Sequence, residues 1–223
     1  MERKAADVTF LAAYTFSKAI DDASGFGDLV NFTNYRLSRA LSAFDVTHNF
    51  VVSYTWDIPF ARAFASLPRR LTQGWSVSGI TRLSTGFPIN ISQSGDVSLY
   101  GTQGVDVPDL VGPVTIQNAR NPGPNGPNTY FLPDAFVSGP AGAFGDANRR
   151  FFHGPGIVNT DLGATKRIAV TESMAFEIRG EFFNIFNHTQ FTNPDGNFTS
   201  SLFGVVTSAR DPRIGQVSGK FVW

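Results

Sequence analysis

A period of two governs this chain. From Asn49 to Ile58, Phe50, Val52, Tyr54, Trp56 and Ile58 fall on one side, and Asn49, Val51, Ser53, Thr55 and Asp57 on the other. A helix, turning every ~3.6 residues, would mix those sets; a strand keeps them on opposite faces. The pattern recurs in Val8–Lys18 (Val8, Phe10, Ala12, Tyr14 and Phe16), in Gly74–Ile91 (Trp75, Val77, Gly79, Thr81 and Leu83) and in Ile157–Ile168 (Val158, Thr160, Leu162 and Ala164). In Phe176–Phe191, Phe176, Ile178, Phe182 and Phe186 oppose Glu177, Arg179 and Glu181, and at the close Val217, Gly219, Phe221 and Trp223 share a face. About six strands are therefore expected, each with an apolar face that must meet a protein core or lipid.

The connections decide between those two. A long stretch with Asp21, Asp22, Gly25, Gly27 and Asn34 follows the first strand, and a basic connector, Pro59–Gln73, follows the second. The third leads into Ser92–Gly156, dense in Gly, Pro and Asn, and a further long loop precedes the last strand. Only AVTES separates the fourth strand from the fifth, which predicts a tight antiparallel hairpin. A structureless stretch as long as Ser92–Gly156 is out of place in a compact soluble domain. Transmembrane barrels instead join strands of roughly ten residues by short periplasmic turns and long external loops. Counting back from a periplasmic C-terminus puts AVTES and Pro59–Gln73 inside and the three long loops outside.

Composition agrees. The chain has 22 Phe, 22 Gly and 13 Pro, and 16% charged residues, against about 25% in soluble domains. Its 18 basic and 18 acidic residues cancel, so no electrostatic footprint argues for nucleic acid. Absent cysteine excludes disulfides and thiolate metal sites. No run of roughly 18 apolar residues marks a spanning helix. The opening MERKAADVTFLAAYTFSKAIDD is not read as a signal peptide, because Thr9, Tyr14, Thr15 and Ser17 interrupt its apolar run.

Together, YFLPDAF, FGDANRRFFHGPGIVNTDLGATKRI, TESMAFEIRGEFFNIFNHTQF and DPRIGQVSGKFVW resemble the C-terminal part of the Oar-like TonB-dependent outer-membrane receptors of acidobacteria and related groups. The resemblance is strongest from Tyr130 to Trp223, and WSVSGITRLSTGFPINI also fits it. It implies a carboxypeptidase-regulatory-like domain, a plug and a barrel of about 22 strands. Signal peptide, TonB-contacting segment and plug are absent from these 223 residues, and eight strands is the smallest barrel. The expectation is a terminal fragment of a longer receptor, all-β, forming an antiparallel transmembrane β-barrel portion in the bacterial outer membrane, with exposed edge strands.

The charged residues Asp161, Arg167, Glu177, Arg179 and Glu181 are expected on the lumenal face, as a cross-strand ladder or as contacts to a plug or substrate path. Phe50, Tyr54, Trp56, Trp75, Phe176, Phe182 and Phe186 are expected to face the membrane or form its aromatic girdle. By resemblance, Phe221 and Trp223 form the signal read by the barrel assembly machinery. His48, His153 and His188 lack metal-ligand spacing, and no GxSxG, Walker or HExxH motif occurs. The resemblance implies a transporter of a bulky ligand, and the missing motifs lead to the expectation of no enzymatic activity, metal or cofactor. Its expected partners are outer-membrane lipid, the assembly machinery and TonB, the last only through an N-terminal part. The alternatives are a secreted or surface β-sandwich binding carbohydrate or protein, and an adhesin-like barrel without transport.

Overall fold

The computed structural model describes residues 2–5, 7–25, 28, 31–101 and 106–223. Seven strands form one sheet: β1 (Glu2–Ala5), β2 (Val8–Phe16), β3 (His48–Ile58), β4 (Trp75–Ser84), β5 (Ile157–Ala169), β6 (Ala175–Phe183) and β7 (Ile214–Val222). Their order in the sheet is their order in the chain, and every neighbouring pair is antiparallel. The meander does not close, leaving β1 and β7 as its edges. β1 adds a seventh strand to the six expected.

The cross-strand register carries the alternation over the whole sheet. Tyr14, Phe50, Leu83 and Val158 stand in one row, and Val8, Trp56, Val77, Ala164, Gly180 and Val217 in another. One face is thus mainly apolar. The other carries Thr9, Ser53, Thr55, Ser78, Asp161 and Glu181. Among the described residues no second layer covers the middle of either face: Trp56 is 45% exposed on the apolar side and Ile80 52% on the other. Aromatic rings instead settle into gaps left by glycines on the next strand. Tyr54 pairs with Gly79 and Phe182 with Gly215, and a Cβ on Gly79 would lie 2.5 Å from the Tyr54 hydroxyl.

Two expected strands end early. The segment Gly74–Ile91 leaves the sheet at Ser84, because Gly86 packs so closely on Gly154 that a Cβ there would meet its carbonyl oxygen. Pro88, which has no N–H to give, bridges to His153 outside the sheet. The segment Phe176–Phe191 leaves at Phe183 because Asn184 and Asn187 adopt left-handed φ of 49° and 50°. Asn184 closes this turn on His188, accepting from its N–H at 3.0 Å and donating to its carbonyl at 2.9 Å.

At one end of the sheet lie the Val170–Met174 turn and the Pro59–Gln73 connector, which holds two short helices, α1 (Phe60–Ala63) and α2 (Arg69–Thr72). At the other end the three long loops pack together into a cap, and the hydrophobic core is there. Ile89, Ile91, Phe131, Ala135, Phe136 and Phe203 are buried, with Phe151, Phe152 and Phe198 against them. The Phe131 and Phe203 rings meet edge to face at 4.9 Å, a favoured aromatic geometry. The loops expected to be irregular therefore hold the hydrophobic core cluster of the described residues.

Gly79→Ala is expected to destabilise the sheet by about 1–3 kcal/mol through overpacking, read from the urea midpoint in detergent. In a Tyr54→Ala background the same change should cost clearly less, since the ring it strikes is gone.

Candidate functional site

Three of the five lumenal candidates, Asp161, Arg179 and Glu181, meet in a concavity of about 380 Å³ on the polar face of the sheet, lined also by Leu11, Ser53, Ile80 and Phe183 among others. Arg179 Nε lies 3.0 Å from Glu181 Oε1, and Gln216 Nε2 donates to Glu181 Oε2 at 2.7 Å across the strands. Asp161 accepts from Asn159 Nδ2 and from the Asn184 N–H, both at 2.9 Å, so it also anchors the turn that ends β6. Arg167 and Glu177 are register partners nearer the short-turn end, where they line a separate hollow with Asp7, Asp57 and Arg62.

The apolar face bears the aromatic candidates. Trp56, Trp75, Phe176 and Phe221 all sit within two residues of a strand terminus at the short-turn end, and Trp223 follows β7 directly. Phe50 stands near the cap end of β3, while Tyr54 and Phe182 lie over glycines. Phe186 is 77% exposed in the turn after β6, beyond the point where strand alternation assigns a face.

Sequence reasoning missed the ionic seam inside the cap. Arg150 grips Asp28 with both amino groups, Nη2 to Oδ1 at 2.7 Å and Nη1 to Oδ2 at 2.9 Å. Arg149 Nη2 donates to Asp21 Oδ1 at 2.9 Å; its Nη1 lies 3.0 Å from Asp28 Oδ2, at an angle that makes an ion pair without a hydrogen bond. Asp45, fully buried, accepts from the Ala19 N–H at 2.6 Å, and its Oδ2 lies 2.8 Å from His153 Nε2. These contacts tie the first long loop to the second. The readable signal was the match between the acids of one loop and the Arg-Arg-x-x-His run at 149–153 in the other.

Arg150 hydrogen bonds hold the Asp28 carboxyl down at about 2, against the opposing effect of burial. For Asp45, burial works against ionisation, but the Ala19 N–H, His153 and Thr47 outweigh it and keep the group below its ordinary range. The other histidines have local partners: His48 Nδ1 bonds the Tyr14 hydroxyl at 2.8 Å, and His188 belongs to the Asn184 turn.

Comparison with known families gives the class. The chain belongs to the outer membrane beta barrel domain family, whose model matches residues 1–216. It is a β-barrel protein of the bacterial outer membrane, a class whose outward face carries an apolar band. No curated protein and no solved structure matches the sequence. No helix among the described residues is long and apolar enough to cross a membrane. At about 3.3 Å per residue, strands of 9 to 13 residues suit a bilayer core crossed at a tilt.

Asp28 is more acidic in the folded cap than at its ordinary 3.8, so its stabilisation is complete above about pH 4 and is lost as pH falls through about 2. The ring NMR signals of Phe131 and Phe203 should broaden or collapse over that window. Asp28→Asn should weaken the cap by about 2 kcal/mol at neutral pH and flatten the response to acid.

Proposed function

We propose that this chain is the C-terminal part of the barrel of a TonB-dependent receptor of the Oar-like kind, which takes up a bulky ligand through a plugged lumen. The observation that carries the reading is the character of the lumenal concavity. Leu11, Ile80 and Phe183 are 47%, 52% and 43% exposed there, beside Asp161, Arg179 and Glu181. A water-filled pore gains nothing from three large apolar side chains on its wall. A folded plug resting on that wall gains their burial, at about 25 cal/mol per Å², and meets the surrounding charges with its own polar groups.

The two free edges fit the same reading, since β1 and β7 would each pair with a further strand to complete a barrel. On this reading the plug and the TonB contact come from a segment N-terminal to the barrel, and Phe221 and Trp223 present the C-terminus to the assembly machinery. The cap offers the capture surface, with Phe32 and Tyr100 each 46% exposed around the stacked Tyr100 and Phe144 rings. The barrel contributes no catalysis.

The chain has no cysteine, so a single introduced thiol reports on the lumen. Ile80→Cys in the protein at its native locus should resist a membrane-impermeant maleimide in intact cells, whereas Val111→Cys on the cap should label at once. Coupling to TonB further predicts that collapsing the proton gradient changes the Ile80→Cys rate. Rapid labelling of Ile80→Cys that ignores the gradient would point to an open pore or an adhesin and defeat the proposal.

A further inference from the structure

The Pro59–Gln73 connector is far longer than neighbouring antiparallel strands require, since two residues suffice for a hairpin and the β5–β6 link at the same end is only Val170–Met174. Its extra length is spent at the rim of the lipid face. The Phe60 ring stands edge-on to Trp75 at 6.2 Å, and the Trp75 indole N–H donates to the Leu71 carbonyl at 2.8 Å. Lys166, in register with Trp75 and Ile178 on the lipid face, is almost fully buried beneath α2. Its ammonium donates to the Leu71 carbonyl at 3.0 Å and to the Gln73 carbonyl, and lies 5.0 Å from the Trp75 ring centre. α2 is thereby fixed against the barrel wall, with Phe64, Leu67 and Leu71 about half exposed or more.

From Pro59 to Gln73 there are three arginines and no acid. Arg62 is already engaged, 3.2 Å from Asp7. Arg69 and Arg70 are exposed, and among the described residues neither has an ion-pair partner. Two unpaired guanidinium groups thus stand beside apolar side chains that continue the lipid-facing band, in the arrangement of an interfacial segment whose basic groups meet headgroups while its apolar groups enter the acyl layer.

We propose that α2 and its flanks bind an anionic phospholipid of the periplasmic leaflet, with Arg69 and Arg70 on the headgroup phosphate and Leu67, Leu71 and Phe64 against its acyl chains. Guanidinium suits a phosphate because it donates two parallel hydrogen bonds. The leaflet follows from position, since the connector is at the end opposite the long loops, which face outward. Each arginine is expected to contribute about a five-fold preference for an anionic over a zwitterionic headgroup. The inference rests on membership of the barrel family and is independent of the transport reading.

Native mass spectrometry of the protein extracted from outer membranes in mild detergent and offered equal phosphatidylglycerol and phosphatidylethanolamine tests it. The unmodified protein should retain phosphatidylglycerol severalfold in excess, less so as salt is raised. Arg69→Gln with Arg70→Gln should bring the ratio near one, and Arg69→Lys with Arg70→Lys should restore part of it, with anomalous gel migration before boiling confirming that each variant is folded. Equal retention by the unmodified protein, a preference indifferent to salt, or one that survives the double glutamine change would overturn the proposal. So would loss of bound lipid A in its place, or burial of the two arginines against a second copy or another protein. If the glutamine variant does not fold, the salt response of the unmodified protein decides alone.

Discussion

The acyl layer offers a backbone amide nothing to bond with, and that constraint lies under the rest of this structure. An unpaired N–H or C=O there costs several kcal/mol, so the strands between β1 and β7 are held by an unbroken antiparallel ladder. A soluble sheet would have its register fixed by a packed second layer, which this sheet lacks on both faces. What fixes it instead is local: the alternation, which a slip of one residue would invert, and the seating of Tyr54 on Gly79 and Phe182 on Gly215. The glycines that look wasteful in a strand are the sockets for those rings.

The interior of ordinary protein character has been displaced to the cap. Phe131 and Phe203 come from different loops, and Ile89 and Ile91 reach the same core as β4 leaves the sheet. The seam of Asp21, Asp28 and Asp45 against Arg149, Arg150 and His153 joins the first loop to this core. At the opposite rim the solution differs, with Trp75, Lys166 and α2 locked together by hydrogen bonds to free carbonyls and a cation held over a ring. One end is organised around burial and the other around an interface.

What the sequence disclosed follows from what is local. A period of two is visible in a few residues, so β2 to β7 and their faces were legible, as was the β5–β6 hairpin from its short link. The strand ends were less so. Ile89 and Ile91 continue the alternation of β4 although they serve the cap, and Phe186 continues the period of β6 only if the turn at Asn184 is overlooked, a residue type that tolerates left-handed backbone. The four residues of β1 are too few and too polar to show a pattern. The cap core was hidden because its phenylalanines are far apart in the chain and follow no period. Lys166 escaped because an amino group on an apolar face is meaningful only once the connector folds over it.

The cap also bears on how the chain is assembled. Its ring cluster and its seam join residues separated by 72 positions (131 to 203) and 122 positions (28 to 150), and they lie on the far side of the membrane from the compartment in which the chain arrives. Because those residues belong to different loops, no single hairpin carries the cap complete. The ladder joins neighbours close in sequence, whereas the cap is complete only when residues as distant as 28 and 150 have both been placed.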